Sequence, residues 1–415
     1  MPSHPESTPI LDPRAPPPSR RLPDELVLLV IECCDEVDNY SRRGTLAKMC
    51  RVAKGYKEAA ERRLYRSVIL AAGEDGQDQD HEPSPLQTLV ERPLLRLHFK
   101  EVELHLNRRQ VRRAGVAALL RDLPSVEALV VEADTQPGVR ALLAQPALRL
   151  RRFETYFSED LAATIDAHPL VFANLERLDV GSTYRSAAMR FSQPVPPVRS
   201  LRIREVTDVA ALEGLCAALG TTLVSLRIPF FFRTERRPFH FGRLPKLERI
   251  TMTRGAGVET SQARLDDIIS TMRSMATLPS LAALELRDAL LISALAPEGL
   301  LLPGMDPDSS SVGAPQEEVP LSLSKAILSA VPSQIRHLSL VGTCLRTDDV
   351  VAYLLGPRRP PKLETLGLGG DLDRTLGEAL RDRGGAAGGP CGALADTLER
   401  ADIQVVSVDE LGDEW

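Results

Sequence analysis

The chain has 415 residues, 43% of them apolar, and a net charge of −6. That length can bury a large core, and that balance supplies no global basic field to draw nucleic acid or anionic lipid. Aromatic residues make up only 4% of the chain, so the core has to be built from Leu, Val, Ile and Ala.

Residues 1–20 hold seven prolines and read as a disordered tail. The tail has no apolar centre of signal-peptide length, and no stretch of the chain supplies the roughly twenty apolar residues of a membrane span. No membrane partner is expected, and the expected compartment is the cytosol or the nucleus. Residues 21–70 carry a helical pattern. Leu26, Leu29 and Val30 share one face, and Leu46, Met49 and then Val52 or Ala53 resume it after a polar break at DNYSRRG, residues 38–44. LYRSVIL, residues 64–70, reads as a strand. Residues 71–85, which include GEDGQDQDHEPSP, are turn-rich and read as a linker.

From residue 86 to about 408 the chain repeats itself. An apolar residue, two others, a second apolar residue, one other and usually a third recur in NLERLDV, PVRSLRI, TLVSLRI, KLERITM and KLETLGL. The first apolar residues, here called anchors, are Phe99, Val126, Leu150, Leu175, Val198, Leu223, Leu247, Leu281, Ile335 and Leu363. The first six intervals are 27, 24, 25, 23, 25 and 24 residues. Helical stretches such as LCAALG, LDDIISTMRSMA and LSKAILSAV lie between anchors. Each unit is therefore a helix, a turn and a strand, and stacked units give a curved solenoid with a parallel sheet. The later intervals are 34, 54 and 28, and the longest contains APEGLLLPGMDPDSSSVGAPQEEVP, residues 296–320. That segment reads as a disordered insertion. A degenerate unit runs through LERADIQVVSV, preceded by a glycine-rich loop, and residues 409–415 form an acidic tail. The predicted fold class is α/β, with a small helical block ahead of the solenoid.

The repeat resembles the leucine-rich-repeat superfamily, although the asparagine usual after the second or third leucine is mostly absent. With that array in view, residues 22–66 resemble an F-box, the adaptor-binding module of cullin–RING ubiquitin ligases. The family's Leu-Pro-x-Glu-Leu signature stands here as Leu22, Pro23, Asp24, Glu25 and Leu26. Val30 and Ile31 match its following apolar pair, Val52 and Tyr56 its Val-Cys-x-x-aromatic element, and LYRSV the closing segment frequent in fungal members. Cys33-Cys34 replaces the leucine expected near the end of the first helix. The resemblance implies that Leu22, Pro23, Glu25, Leu26, Val30, Ile31, Val52 and Tyr56 contact a Skp-family adaptor, which brings a cullin. It also implies that the repeats hold a protein target. The simpler reading of the block is a cap of the solenoid, and the alternative function is a repeat scaffold without a ligase role.

Residues that carry chemistry are sparse. The six cysteines form no CxxC pair and no zinc spacing, which points to reduced, buried thiols. None of the seven histidines lies in HExxH, no GxSxG marks a nucleophile, and no Gly-Lys-Ser/Thr follows the glycines near residue 385. No enzyme, metal or cofactor is expected. Basic RRQVRR at 108–113 is one helix face in an acidic chain and reads as solvated. More pointed is a set of strand arginines. Side chains alternate along a strand, which puts Arg152, Arg177, Arg202, Arg227 and Arg249 on the concave face, with Arg204 and Arg287 close by. Such a ladder suits an acidic or phosphorylated target segment. PFFFRTERRPFHF, residues 229–241, is expected to wall one end of it through Phe231 and Phe232. Glu154 and Asp179 are the residues that would neutralise it, and the phenylalanines have core packing as their simpler role.

Overall fold

The computed structural model describes residues 26–28, 31, 39–52, 54–71, 92–105, 123, 125–131, 143–145, 147–157, 161–182, 191, 195–206, 208–229, 238–242, 244–253, 262–287, 323–341, 345–370, 372–377, 380 and 390–408. Leu22, Pro23, Glu25, Val30, Phe231, Phe232, the RRQVRR segment and the 296–320 insertion all lie outside them.

Among the described residues, twelve strands form one open parallel sheet in strict chain order. They are β1 (Ser67–Ala71), β2 (Glu101–His105), β3 (Ala128–Val131), β4 (Arg152–Phe157), β5 (Arg177–Ser182), β6 (Ser200–Glu205), β7 (Ser225–Pro229), β8 (Arg249–Thr253), β9 (Ala283–Arg287), β10 (His337–Val341), β11 (Thr365–Gly369) and β12 (Gln404–Ser407). The helices are α1 (Asn39–Val52), α2 (Lys54–Leu64), α3 (Leu161–Ala167), α4 (Val209–Leu219), α5 (Gln262–Ser274), α6 (Leu323–Ser329), α7 (Thr347–Leu355) and α8 (Pro390–Arg400). Parallel neighbours require a crossover between them, and α3 to α8 lie on such crossovers. One strand per repeat, always beside the previous one, makes this a curved, leucine-rich-repeat-like solenoid.

The repeat period maps onto burial. Every anchor from Phe99 to Leu363 is buried, in one core that runs from Val68 to Ile403. Two residues past each anchor the strand begins, and its second and fourth positions point inward, as Leu201 and Ile203 do on β6. Phe153 and Phe172 meet edge to face at 5.3 Å within this otherwise aliphatic core. α4 shows how a crossover helix is specified. Val209, Leu212, Leu215, Cys216 and Leu219 are buried at helical spacing, and the Asp208 carboxylate accepts the Ala211 N–H at 3.0 Å as N-cap.

A backbone ladder fixes the register of the whole array. The carbonyl just before one strand accepts two N–H groups from the corresponding place in the next repeat. Glu176 accepts from Arg199 and Ser200, Arg199 from Val224 and Ser225, and Val224 from Glu248 and Arg249. The same pair of bonds recurs from Arg66 to Arg336. Each bond adds little net stability, but a slip by one residue would break all of them and turn the apolar face outward.

The array extends beyond the ten anchors at both ends. LYRSVIL supplies β1, with Tyr65 at the anchor position packed against the core and Arg66 starting the carbonyl ladder. At the far end the anchor position falls on Asp402, in the left-handed region at φ 56°, and the apolar residue follows one place later as Ile403. Asp is one of the few residues that tolerates that conformation. The helix α8 begins at Pro390, so the last part of the expected glycine-rich loop is helical. Gly367 and Gly369 sit inside β11, where a Cβ on Gly367 would meet Val408 at 2.8 Å. This is close packing in a repeat.

The N-terminal block has its own small core of Ile31, Leu46 and Ala60, joined by Val27, Met49, Cys50, Tyr56, Ala59 and Leu64. The expected polar break at residues 38–44 is helical from Asn39 onward, inside the fourteen-residue α1. None of Tyr, Ser and Arg breaks a helix, and Gly44 alone costs only about 1 kcal/mol. The block joins the array through α2 and β1, and Arg92 reaches back to Glu61 at 2.7 Å.

Candidate functional site

Strand alternation leaves three rows of side chains on the concave face: the first, third and fifth positions of each strand. The expected arginines divide among these rows. Arg152, Arg177 and Arg249 stand in the first, Arg202 and Arg227 in the third, and Arg204 and Arg287 in the fifth. They therefore form a staggered field and not a single ladder.

Over β4 and β5 that field is neutralised from within. Asp179 is fully buried on the concave side and accepts the Arg177 Nε–H at 3.1 Å on each oxygen. Arg152 donates to Glu101 at 3.2 Å and to Glu154 at 2.8 Å, and lies 3.4 Å from Asp179. Arg204 on β6 also donates to Glu154. Burial works against the charge of Arg152, but Asp179, Glu101 and Glu154 outweigh it and hold its guanidinium above the ordinary value. The spacing that could have found this network is visible in the sequence. Arg152-Phe153-Glu154 and Arg177-Leu178-Asp179 each place opposite charges two residues apart, on one face of one strand.

The same device recurs on β9, where Glu285 accepts from Arg287 at 2.7 Å and from the Thr251 hydroxyl at 3.0 Å. Between these two locked regions lie β6, β7 and β8. Their outward positions are Ser200, Arg202, Arg204, Ser225, Arg227, Pro229, Arg249, Thr251 and Thr253, with no acid among them. Arg202, Arg227 and Arg249 are all half-buried. Among the described residues, Arg202 and Arg249 make no ion pair. The basic strip is thus confined to three strands.

Phe231 and Phe232, the expected wall, lie outside the described residues, and two other phenylalanines of that segment take the simpler role of core packing. Phe239 and Phe241 are buried in the solenoid core, stacked edge to face at 4.7 Å, with the Phe239 N–H on the Thr271 hydroxyl at 3.0 Å. A ring-poor core uses the rings it has. A small depression between Glu103, Glu154 and Arg204, floored by Val130, has a volume of about 40 Å³. That is room for a few waters.

At the N-terminal block, Leu26 and Leu28 are 46% and 41% exposed, while Val27 between them packs inward. Ile31 is buried in the block's core and offers no contact surface of its own, and Tyr56 is half-buried against that core. Val52 closes α1. Cys216 is buried and its thiol is pushed up to about 12, first by burial and then by Glu213. Cys50 is partly buried, and burial likewise raises it. Neither has the depressed pKa of a reactive thiol. Among the described residues no group of three His, Cys, Asp or Glu side chains is placed to hold a metal ion. No helix among them is long and apolar enough to cross a membrane.

No protein-family model and no curated protein matches the chain. Among solved structures it is similar to the leucine-rich repeat-containing protein LegL7 from Legionella pneumophila, at 13% identity and a TM-score of 0.33. The likeness covers 75% of this chain and 74% of that one. The assignment as leucine-rich-repeat-like rests on the strand order and period of the sheet itself.

Proposed function

We propose that this chain is a substrate receptor of an SCF-type ubiquitin ligase. Its N-terminal block docks on a Skp-family adaptor that carries the cullin, and its solenoid holds a target protein on the concave face. The observation that carries the reading is the pairing of a block with a core of its own and two leucines, Leu26 and Leu28, left outside that core. Neighbouring exposed leucines on a small helical block suit docking on an adaptor, and Leu26 is the last residue of the segment that resembles the F-box signature. The chain itself would perform no chemistry.

A second reading is favoured by β1. The closing segment of the block is an integral strand of the sheet, and Arg92–Glu61 ties α2 to the array. A solenoid cap has that property, and on this reading the protein is an interaction scaffold with no ubiquitin connection. Affinity purification of the full chain beside Leu26→Asp/Leu28→Asp separates the two. The receptor reading predicts that adaptor and cullin co-purify with the native chain and are lost from the double variant, with thermal unfolding unchanged. Absence of adaptor from the native sample decides for the scaffold.

A further inference from the structure

We infer that the exposed leucine pair Leu94 and Leu97 docks an acidic amphipathic helix of a partner protein. This surface lies off the concave face, just ahead of β2. The inference goes beyond the reading above and holds whether the N-terminal block binds an adaptor or caps the solenoid.

PLLRLH, residues 93–98, is a short 3-10 helix that leads into β2. Side chains three residues apart eclipse each other in that geometry, so Leu94 and Leu97 stand on one side of it. They are 75% and 54% exposed, and Leu94 is the most exposed large apolar residue among those described. The fold does not need them, because Leu95 and Phe99 supply the segment's burial in the solenoid core. The backbone that carries them is tied down on both sides. Arg92 donates to Glu61 on α2 at 2.7 Å, and the N–H groups of Lys100 and Glu101 both donate to the Arg66 carbonyl at 2.9 Å. Leu170 and Leu355, exposed elsewhere on the array, each stand alone on their segments. A single exposed leucine is ordinary, whereas an eclipsed pair on ordered backbone is a preorganised contact.

Local charge indicates the occupant. KEAAERRLYR, residues 57–66, and RPLLRLHFK, residues 92–100, together carry seven Lys or Arg and two Glu. Glu58 pairs with Arg62, Glu61 with Arg92, and Lys100 reaches Glu127 of the next repeat. Glu101, beside them in sequence, accepts from Arg152 on the concave face instead. Seven cations thus meet three acids, and the balance stays positive whatever further bonds each guanidinium makes. In a chain of net charge −6, this is a local reversal of sign. An apolar pair in basic surroundings fits a helix with apolar residues at i and i+4 and carboxylates beside them. Three residues of a 3-10 helix and four of an α-helix both rise about 6 Å, so the two apolar rows match in length. An anionic membrane fits less well, because it extends past the patch to meet a net-negative chain, and two leucines give it little to hold.

The test uses the full chain and a labelled helical peptide with leucines at i and i+4 flanked by glutamates, beside versions with lysine for glutamate or alanine for leucine. Fluorescence polarisation should show the acidic leucine peptide binding at least about tenfold more tightly than either version. Its affinity should fall as salt rises from about 0.05 to about 0.3 M. Leu94→Ser/Leu97→Ser and, separately, Arg62→Glu/Arg96→Glu should each weaken binding at least about tenfold, with thermal unfolding unchanged, while Leu170→Ser should have no effect. On the native chain the bound peptide should slow amide hydrogen exchange over residues 92–100, a readout that needs no variant. Equal binding of the three peptides, indifference to loss of the leucine pair, protection elsewhere on the chain, or preference for phosphatidylserine vesicles over the peptide would each overturn the inference. If adaptor co-purifies with the native chain, Leu94→Ser/Leu97→Ser should recover as much of it. Its loss would assign the pair to the adaptor and overturn this inference while leaving the receptor reading standing.

Discussion

Arginines on β4 and β5 and arginines on β6 and β7 occupy the same concave face of one sheet, yet they meet different fates. Arg152 and Arg177 are drawn into a network with Glu101, Glu154 and the fully buried Asp179. Arg202 and Arg227 face each other across the next pair of strands, with no acid at the outward positions of their own strands and Asp179 opposite Arg202 on the other side. The residue type is constant, and what differs is the position two places along the strand. One region sets an acid two residues from each of these arginines on its own strand, and the other does not.

That contrast can be broken in order of effect. Asp179→Ala removes the shared ion-pair partner of Arg152 and Arg177 and should lower the unfolding free energy by about 3 kcal/mol in urea titrations, since it strands charge in a partly buried network. A cost under about 0.5 kcal/mol would show that the network is solvated and that the two regions are alike. At the rim just before the strands, charges of alternating sign pair neighbouring repeats, as in Lys100–Glu127 at 2.6 Å and Arg151–Glu176 at 2.9 Å. The Lys100 hydrogen bond holds the Glu127 carboxyl below its ordinary value of 4.5. A carboxyl depressed on folding stabilises above its unfolded pKa, and that contribution is lost as pH falls through the folded one. The pair is half exposed, so its contribution should stay under about 0.5 kcal/mol. Lys100→Ala should raise the Glu127 titration midpoint in carbon-detected NMR with little change in stability.

Much of this was legible in the sequence, and the misses have physical causes. The anchor period gave ten units because a buried apolar residue must recur wherever a strand begins. The two end strands were legible as a strand at LYRSVIL and a degenerate unit at LERADIQVVSV, but not by the period, because Tyr65 fills one anchor place and Asp402, with Ile403 shifted by one, replaces the other. The concave arginines followed from alternation alone. Their division into rows did not, because Arg152, Arg177 and Arg249 lie two residues past an anchor while Arg202 and Arg227 lie four past it. Glu154 and Asp179 could be seen as neighbours of the arginines, but their burial depends on strands that come together only in the fold. Phe239 and Phe241 sit in a segment whose composition reads equally well as wall or core, and only packing decides between them. At the N-terminal block the leucine signature was visible, while the inward turn of Ile31 depends on where α1 and α2 pack.

The contrast between the two regions is tested most directly by the unfolding free energies of Arg152→Ala and Arg202→Ala, measured side by side in urea at low salt. Arg152→Ala leaves Glu154 and Asp179 with one cation fewer and should cost about 2 kcal/mol. Arg202→Ala removes a charge from beside Arg227 and should change stability by less than about 0.5 kcal/mol in either direction. Equal losses, or a larger loss at Arg202, would contradict the division of this face into a half with acids on the arginines' own strands and a half without them.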